Sequence, residues 1–205
     1  MKSQVTLLLN YVLFCKALSL TCHHCPLSAP GKCGHFNTTC FYQCLTATNV
    51  VSIHGTKVTE VIKTCGFPKM CVNGSLNLGT VKVTTHAKCC RRKFCNKEEL
   101  QALPEEGFST NRCYICDGAG CSNTVRCAAN EDRCIIASVG KGSNFVAMKG
   151  CVSKSLCLAT GTSSLPGIGL SNVQCCEGNL CNGAQIFTQS FLLIMVHLLF
   201  SIFFY

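Results

Sequence analysis

Residues 89–96 read Cys89-Cys90-Arg91-Arg92-Lys93-Phe94-Cys95-Asn96. Residues 175–182 read Cys175-Cys176-Glu177-Gly178-Asn179-Leu180-Cys181-Asn182. In both, a cysteine pair is followed after four residues by Cys-Asn. Working back from each pair, a gap of 17 residues leads to Cys71 or Cys157, and a gap of 5 leads to Cys65 or Cys151. Further back, the first set continues through Cys44, Cys40 and Cys33 to Cys25 and Cys22. The second continues through Cys134, Cys127 and Cys121 to Cys116 and Cys113, so both open with Cys-x-x-Cys. Twenty of the 21 cysteines thus fall into two sets of ten in the same order, which marks an internal duplication of a unit about 75–90 residues long.

Closely spaced cysteines in even number read as a disulfide framework when the chain enters the secretory route. The N-terminus has that character: Lys2, an apolar run from Val5 to Phe14, then Ala17-Leu18-Ser19 with small residues where a signal peptidase reads. Cleavage after Ser19 makes residues 1–19 a signal peptide and removes Cys15, the odd cysteine; the competing reading is an uncleaved anchor. Phe191 to Tyr205 is a second apolar run, interrupted by His197 and Ser201, and at 15 residues it is short of the roughly 20 a spanning helix needs. Small residues Asn182-Gly183-Ala184, a short spacer and a hydrophobic end fit a GPI-anchor signal, with attachment at Asn182 or Gly183 and residues 183–205 as propeptide. A transmembrane tail is the alternative.

Residues 20–96 hold nine Lys and Arg against Glu60 alone, whereas residues 108–182 hold six against four. The first unit is the electropositive one, with Lys88, Arg91, Arg92 and Lys93 around the cysteine pair. Such a patch steers acidic proteins, sulfated glycans or anionic lipid, or is simply a solvated face. Nucleic acid is not expected as a partner outside the cell.

A unit this short buries too little apolar surface to be stable alone, and five disulfides at roughly 2–4 kcal/mol each make up the deficit. The composition favours strands. Leu45 to Ser52 and Val58 to Thr64 flank a turn at His54-Gly55-Thr56, and Ile135 to Val139 and Phe145 to Lys149 flank Gly140 to Asn144. The two 17-residue gaps each have room for a further hairpin. The fold class expected is therefore all-β and disulfide-rich, with short hairpins on two cysteine hubs. The expected boundaries are 20–96 for the first domain, 97–110 for a polar, extended linker containing Pro104-Glu105-Glu106-Gly107, and 111–182 for the second domain. Spacing leaves the pairing open, since ten cysteines allow roughly 945 connectivities by the usual counting.

The pattern resembles the lymphocyte-antigen-6/urokinase-receptor family, whose members have the three-finger fold. The residues that carry the resemblance are Leu20-Thr21-Cys22-x-x-Cys25, Cys89-Cys90 with Cys95-Asn96, Cys113-x-x-Cys116, and Cys175-Cys176 with Cys181-Asn182. It implies the pairs Cys22–Cys44, Cys25–Cys33, Cys40–Cys65, Cys71–Cys89 and Cys90–Cys95. In the second unit it implies Cys113–Cys134, Cys116–Cys121, Cys127–Cys151, Cys157–Cys175 and Cys176–Cys181. It also implies that Asn96 and Asn182 tie their hubs by hydrogen bonds. The second unit, through Asn130-Glu131-Asp132-Arg133-Cys134 and Cys176-Glu177-Gly178-Asn179-Leu180-Cys181-Asn182-Gly183, is similar to the gamma-type phospholipase inhibitors of blood plasma. The chain departs from both: the urokinase receptor has three such domains, and the inhibitors carry no lipid anchor.

Cys22-His23-His24-Cys25 has the residue types of a zinc set, but a full complement of disulfide partners makes the histidines exposed bystanders. No Gly-x-Ser-x-Gly elbow or His-Glu-x-x-His is present, and the only aspartates are Asp117 and Asp132. No enzyme, cofactor or metal is expected. Asn37-Thr38-Thr39 and Asn73-Gly74-Ser75 are N-glycosylation sequons in expected loops. On such a scaffold function belongs to loops held by a rigid hub. The expected contacts are His54 and Lys57 in the first domain and Lys141, Ser143 and Asn144 in the second. Leu165 and Ile168, in the Gly/Ser/Thr-rich loop from Thr160 to Gly169, are the apolar candidates. The reading is a GPI-anchored cell-surface module of receptor or co-receptor type that binds an extracellular protein. The alternatives are a secreted inhibitor of an extracellular enzyme such as a phospholipase, and a cell or gamete adhesion protein.

Overall fold

The computed structural model describes residues 19–25, 36–118, 120–141, 144–160 and 170–183. Within them the chain is almost entirely β. The first finger of the first domain pairs β1 (Leu20–His24) with β2 (Phe36–Cys40). The second finger pairs β3 (Gln43–Ile53) with β4 (Thr56–Gly66) in unbroken register, from Cys44↔Cys65 at the hub to Ile53↔Thr56 at the tip. A 3-10 turn, Pro68–Met70, leads to the third finger, β5 (Gly74–Asn77) with β6 (Val81–Cys90). The second domain repeats the plan with β7 (Phe108–Asp117) against β8 (Gly120–Ala128), and β9 (Arg133–Lys141) against β10 (Asn144–Val152).

In its third finger the described residues form a short helix, α1 (Lys154–Thr160), and a strand, β11 (Leu170–Cys176), while residues 161–169, the middle of the gap in which a hairpin is expected, lie outside the described residues. Leu156 on α1 is buried in the same cluster as Leu76 and Val152. Strand β7 starts at Phe108, within the stretch expected as linker, because Phe108 already pairs with Ala128.

Nine disulfides close among the described residues. They are Cys22–Cys44, Cys40–Cys65, Cys71–Cys89 and Cys90–Cys95, then Cys113–Cys134, Cys116–Cys121, Cys127–Cys151, Cys157–Cys175 and Cys176–Cys181. Cys25 is disulfide-bonded as well; Cys33, which the resemblance assigns to it, lies outside the described residues. Beside each sulfur cluster sits a buried asparagine. Asn96 accepts from His23 N–H at 2.9 Å and donates to the carbonyls of His23 and Leu45 at 2.9 and 3.0 Å. Asn182 accepts from Tyr114 N–H at 2.9 Å and donates to the carbonyls of Tyr114 and Ile135, both at 3.0 Å. Each side chain thereby ties the first finger to the second. Just before the closing cysteines, Phe94 and Leu180 both take φ of +57°.

The two domains are welded. Strand β10 pairs with β5 at Cys151↔Asn77 and Val152↔Leu76, giving one seven-stranded antiparallel sheet in the order β11-β9-β10-β5-β6-β3-β4. Both β6 and β10 run from fingertip to hub and both oppose β5, so the fingers of the two domains point the same way. The domains are staggered: Cys151 stands level with Lys82, eight residues from hub Cys90, which is about 27 Å at the strand rise. Gly150 makes the weld feasible, since a Cβ there would lie 2.0 Å from the Asn77 carbonyl oxygen.

The linker bridges this stagger by running along one sheet face from hub to tip. Thr46 and Thr48 donate their hydroxyls to the carbonyls of Asn96 and Leu100, and the Lys63 ammonium donates to that of Lys97. The His86 ring bonds Gln101 O, and Lys57 at the fingertip pairs with Glu105. Strand alternation sends the neighbouring residues to the opposite face, where Leu76, Val83, Ile135, Ala137, Val152, Leu156 and Leu170 form the largest apolar core. That core contains residues of both domains.

Candidate binding surface

The tip of β3–β4 is a two-residue turn. His54 and Gly55 take φ of +49° and +86°, the geometry that matches the strand twist of tight hairpins. His54 N–H bonds Thr80 O at 3.1 Å, which fastens the second fingertip to the third. Lys57 is exposed on the sheet face that carries the linker, pairing with Glu105. The hydrogen bond from Lys57, then its charge, then that of Lys82 hold the Glu105 carboxyl below its ordinary value.

Lys141 and Asn144 form the first backbone pair of the other long hairpin, β9–β10. Ser143, Leu165 and Ile168 lie outside the described residues. The structure does not bring the two tips together. Asn144 is seven residues from Cys151, which is level with Ser52 near the first tip, so the tips stand about 24 Å apart along the strands.

What joins the two hairpins is the core face of the sheet, and sequence reasoning that looked for polar tips passed over it. Cross-strand partners share a face, so Ile53 and Val81, Val51 and Val83, and Val51 and Val58 lie together. The same face continues through Leu76 and Val152 to Ile135, Ala137 and Met148, then to Val139 and Val146. Its middle is buried; its ends are not. Ile53 is 49% exposed and Val58 60%, while Val139 is 37% and Val146 63% exposed. The alternation of these residues was readable in each strand. That the four exposed ones flank a single core depends on the β5–β10 weld, for which neither strand carries a signal.

The histidines of the Cys-x-x-Cys segment do not form a metal set. Successive residues of β1 face opposite ways, His23 packs against Phe94 with ring centroids 5.2 Å apart and the rings tilted by 50°, and Cys22 and Cys25 are both in disulfides. The sulfurs of Cys113, Cys127 and Cys151 come close together, but they too belong to disulfides and offer no thiolate. Lys88, Arg91, Arg92 and Lys93 are all exposed at the hub end of β6, away from the tips. Of the sequon residues, Asn37 lies on β2, not in a loop, with its side chain exposed; Asn73 immediately precedes β5. Asn182, one of the two residues considered for lipid attachment, is fully buried. The Gly183 carbonyl accepts from the Lys149 ammonium at 3.0 Å.

Comparison with known proteins agrees with this architecture. The u-PAR/Ly-6 domain profile matches residues 18–98, and the profile of snake toxins and toxin-like proteins matches residues 112–182. Xenoxin-3 of Xenopus laevis is 32% identical over 72 residues, 35% of this chain and 97% of its own length. The chain belongs to the Ly-6/urokinase-receptor family of three-finger proteins. Lymphocyte antigen 6E of Gallus gallus is 35% identical over 78 residues, covering 34% of this chain and 59% of the relative. The urokinase plasminogen activator surface receptor of Rattus norvegicus is 31% identical over 109 residues, covering 46% of this chain and 32% of the receptor. The chain therefore matches about a third of the length of that receptor. No helix among the described residues is long and apolar enough to cross a membrane.

Proposed function

We propose that this protein is a GPI-anchored cell-surface binding module of receptor or co-receptor type, without chemistry of its own, that engages an extracellular protein through the core face of its sheet. The observation that carries the reading is the exposure of Ile53, Val58, Val139 and Val146 at the two ends of one apolar face whose middle is buried. Apolar side chains on a rigid sheet lose little conformational entropy on binding, so they suit a protein contact. His54, exposed at the turn beside the first end, supplies polar character of the kind such contacts carry at their rim. Two relatives bear the names of a surface receptor and a lymphocyte antigen, which supports a protein-binding role at the cell surface. Membrane attachment is assigned to Gly183, because Asn182 is committed to its hub.

The test places an epitope tag after Ser19 and treats intact expressing cells with phosphatidylinositol-specific phospholipase C. Release of the tag into the medium is expected. Tag already in the medium without treatment, or tag that resists the enzyme, overturns the anchor. Released protein is then applied to fresh cells. Replacing Ile53 and Val58 together by Ser is expected to lower its retention at least tenfold, as loss of about 1.4 kcal/mol or more of binding free energy requires.

A further inference from the structure

The sequon Asn73-Gly74-Ser75 lies at the joint of the molecule. An open cleft of about 420 Å3 is bounded by Asn73 and Gly74 of the first domain, Leu103 of the linker, and Asn130, Asp132 and Lys154 of the second domain. The Asn73 side chain is exposed and held by its oxygen alone: Oδ1 accepts from Ala87 N–H at 2.8 Å, while Nδ2 donates to nothing among the described residues. Ser75 is the reverse. It is 2% exposed, and its hydroxyl lies 2.9 Å from Glu131 Oε1 and 3.0 Å from Asn130 Oδ1, across the seam.

We propose that Asn73 carries an N-linked glycan whose innermost sugars occupy this cleft and touch both domains and the linker. In the transfer, Nδ2 forms a bond to C1 of a lipid-pyrophosphate-linked oligosaccharide. The C1–phosphate oxygen bond breaks, the lipid pyrophosphate leaves, and Nδ2 gives up one proton. The transferring enzyme must read the Ser75 hydroxyl, which the docked second domain buries. Transfer therefore precedes docking, and the second domain closes onto a chain already glycosylated. The cleft suits the sugar. Its volume lies within the roughly 300–1,000 Å3 of ligand clefts, Asn130, Asp132 and Lys154 offer hydrogen-bond partners for hydroxyls, and Leu103 offers an apolar surface for a pyranose face. An occupied cleft braces the seam, whose backbone bond from Ser153 N–H to Ser75 O, at 2.9 Å, lies beside it.

The experiment uses the full chain secreted from animal cells, with the Asn37→Gln variant to assign sugars to Asn73. Glycopeptide mass spectrometry reads occupancy, and peptide-N-glycosidase reads access before and after denaturation. We expect Asn73 to be occupied, and its glycan to be released from the native protein at least about tenfold more slowly than from the denatured one, as release through local opening requires. Wild-type chain made without sugar, in tunicamycin-treated cells, is expected to exchange the Ser75 and Ser153 amides faster. An unmodified Asn73, native release as fast as denatured, or unchanged seam exchange overturns the proposal. Should the sugar-free chain fail to fold, the native release rate decides alone.

Discussion

Glu131 is a charged residue with no solvent exposure at all. Its carboxylate accepts from the Ser75 hydroxyl at 2.9 Å through Oε1 and from Ala128 N–H at 2.8 Å through Oε2. One side chain thus turns the corner of its own loop and holds the opposite domain. Glu131→Ala leaves the buried Ala128 N–H without its acceptor and leaves the Ser75 hydroxyl only Asn130 Oδ1, so the expected loss is about 1–3 kcal/mol in chemical denaturation. Glu131→Gln retains an acceptor for one donor and is expected to lose less. Glu105 is the exposed counterpart, pinning the linker through Lys57. Its pKa is lowered in the folded state, so its contribution is present above its ordinary value of 4.5 and is lost as pH falls through the lower folded value. An NMR titration is expected to show Glu105 protonating below that ordinary value, and Lys57→Met to move the midpoint up toward it. A midpoint unmoved by Lys57→Met would remove Lys57 as the cause.

Among the elements, the weld of β5 to β10 rests on a glycine. Alanine at Gly150 would set its Cβ against the Asn77 carbonyl, a backbone atom that cannot swing aside. Gly150→Ala is expected to part the two strands and cost about 3 kcal/mol or more, the upper range for overpacking. Gly107→Ala in the linker, where an added Cβ meets nothing within 4 Å, is expected to leave the melting temperature unchanged. The two long hairpins were legible because Val, Ile and Thr fill both arms and a Gly-containing turn sits at the fold-back. They extend beyond the predicted arms, to Gln43–Ile53 and Thr56–Gly66, because pairing continues through polar residues that satisfy the ladder. Helix α1 was not legible: it spans 7 residues, too few for a helical period to register. The pairing of β5 with β10 was invisible for another reason. Edge-to-edge contact leaves no pattern in either strand, and Gly74-Ser75-Leu76-Asn77 has almost no strand character of its own. The binding face inherited that blindness, since Ile53 and Val146 belong to one surface only once the weld is made.

At the scale of the whole molecule, the duplication produced one continuous sheet and a shared apolar core in place of two beads. Each hub is closed by its own disulfides, with no bond between the domains among the nine described, so covalent chemistry alone would allow the halves to melt separately. The apolar core argues otherwise. Leu76 and Val83 come from the first domain, and Ile135, Ala137, Val152, Leu156 and Leu170 from the second; all seven are buried in one cluster. Pulling the domains apart exposes this cluster, the β5–β10 ladder and the Glu131 carboxylate together. Such a joint either holds or fails as a whole, and calorimetry of the non-reduced protein is expected to show one transition with matching calorimetric and van't Hoff enthalpies. Leu76→Ala is the discriminating variant. Leu76 is fully buried and lies opposite both Val83 and Val152, so its truncation is expected to cost about 2–5 kcal/mol. If the unit is single, hydrogen exchange speeds up by the same factor in β3, which lies wholly in the first domain, and in β9, which lies wholly in the second. Two calorimetric transitions, or faster exchange in β3 with β9 unchanged, would show that the domains fold independently and that the continuous sheet is a contact between two stable bodies.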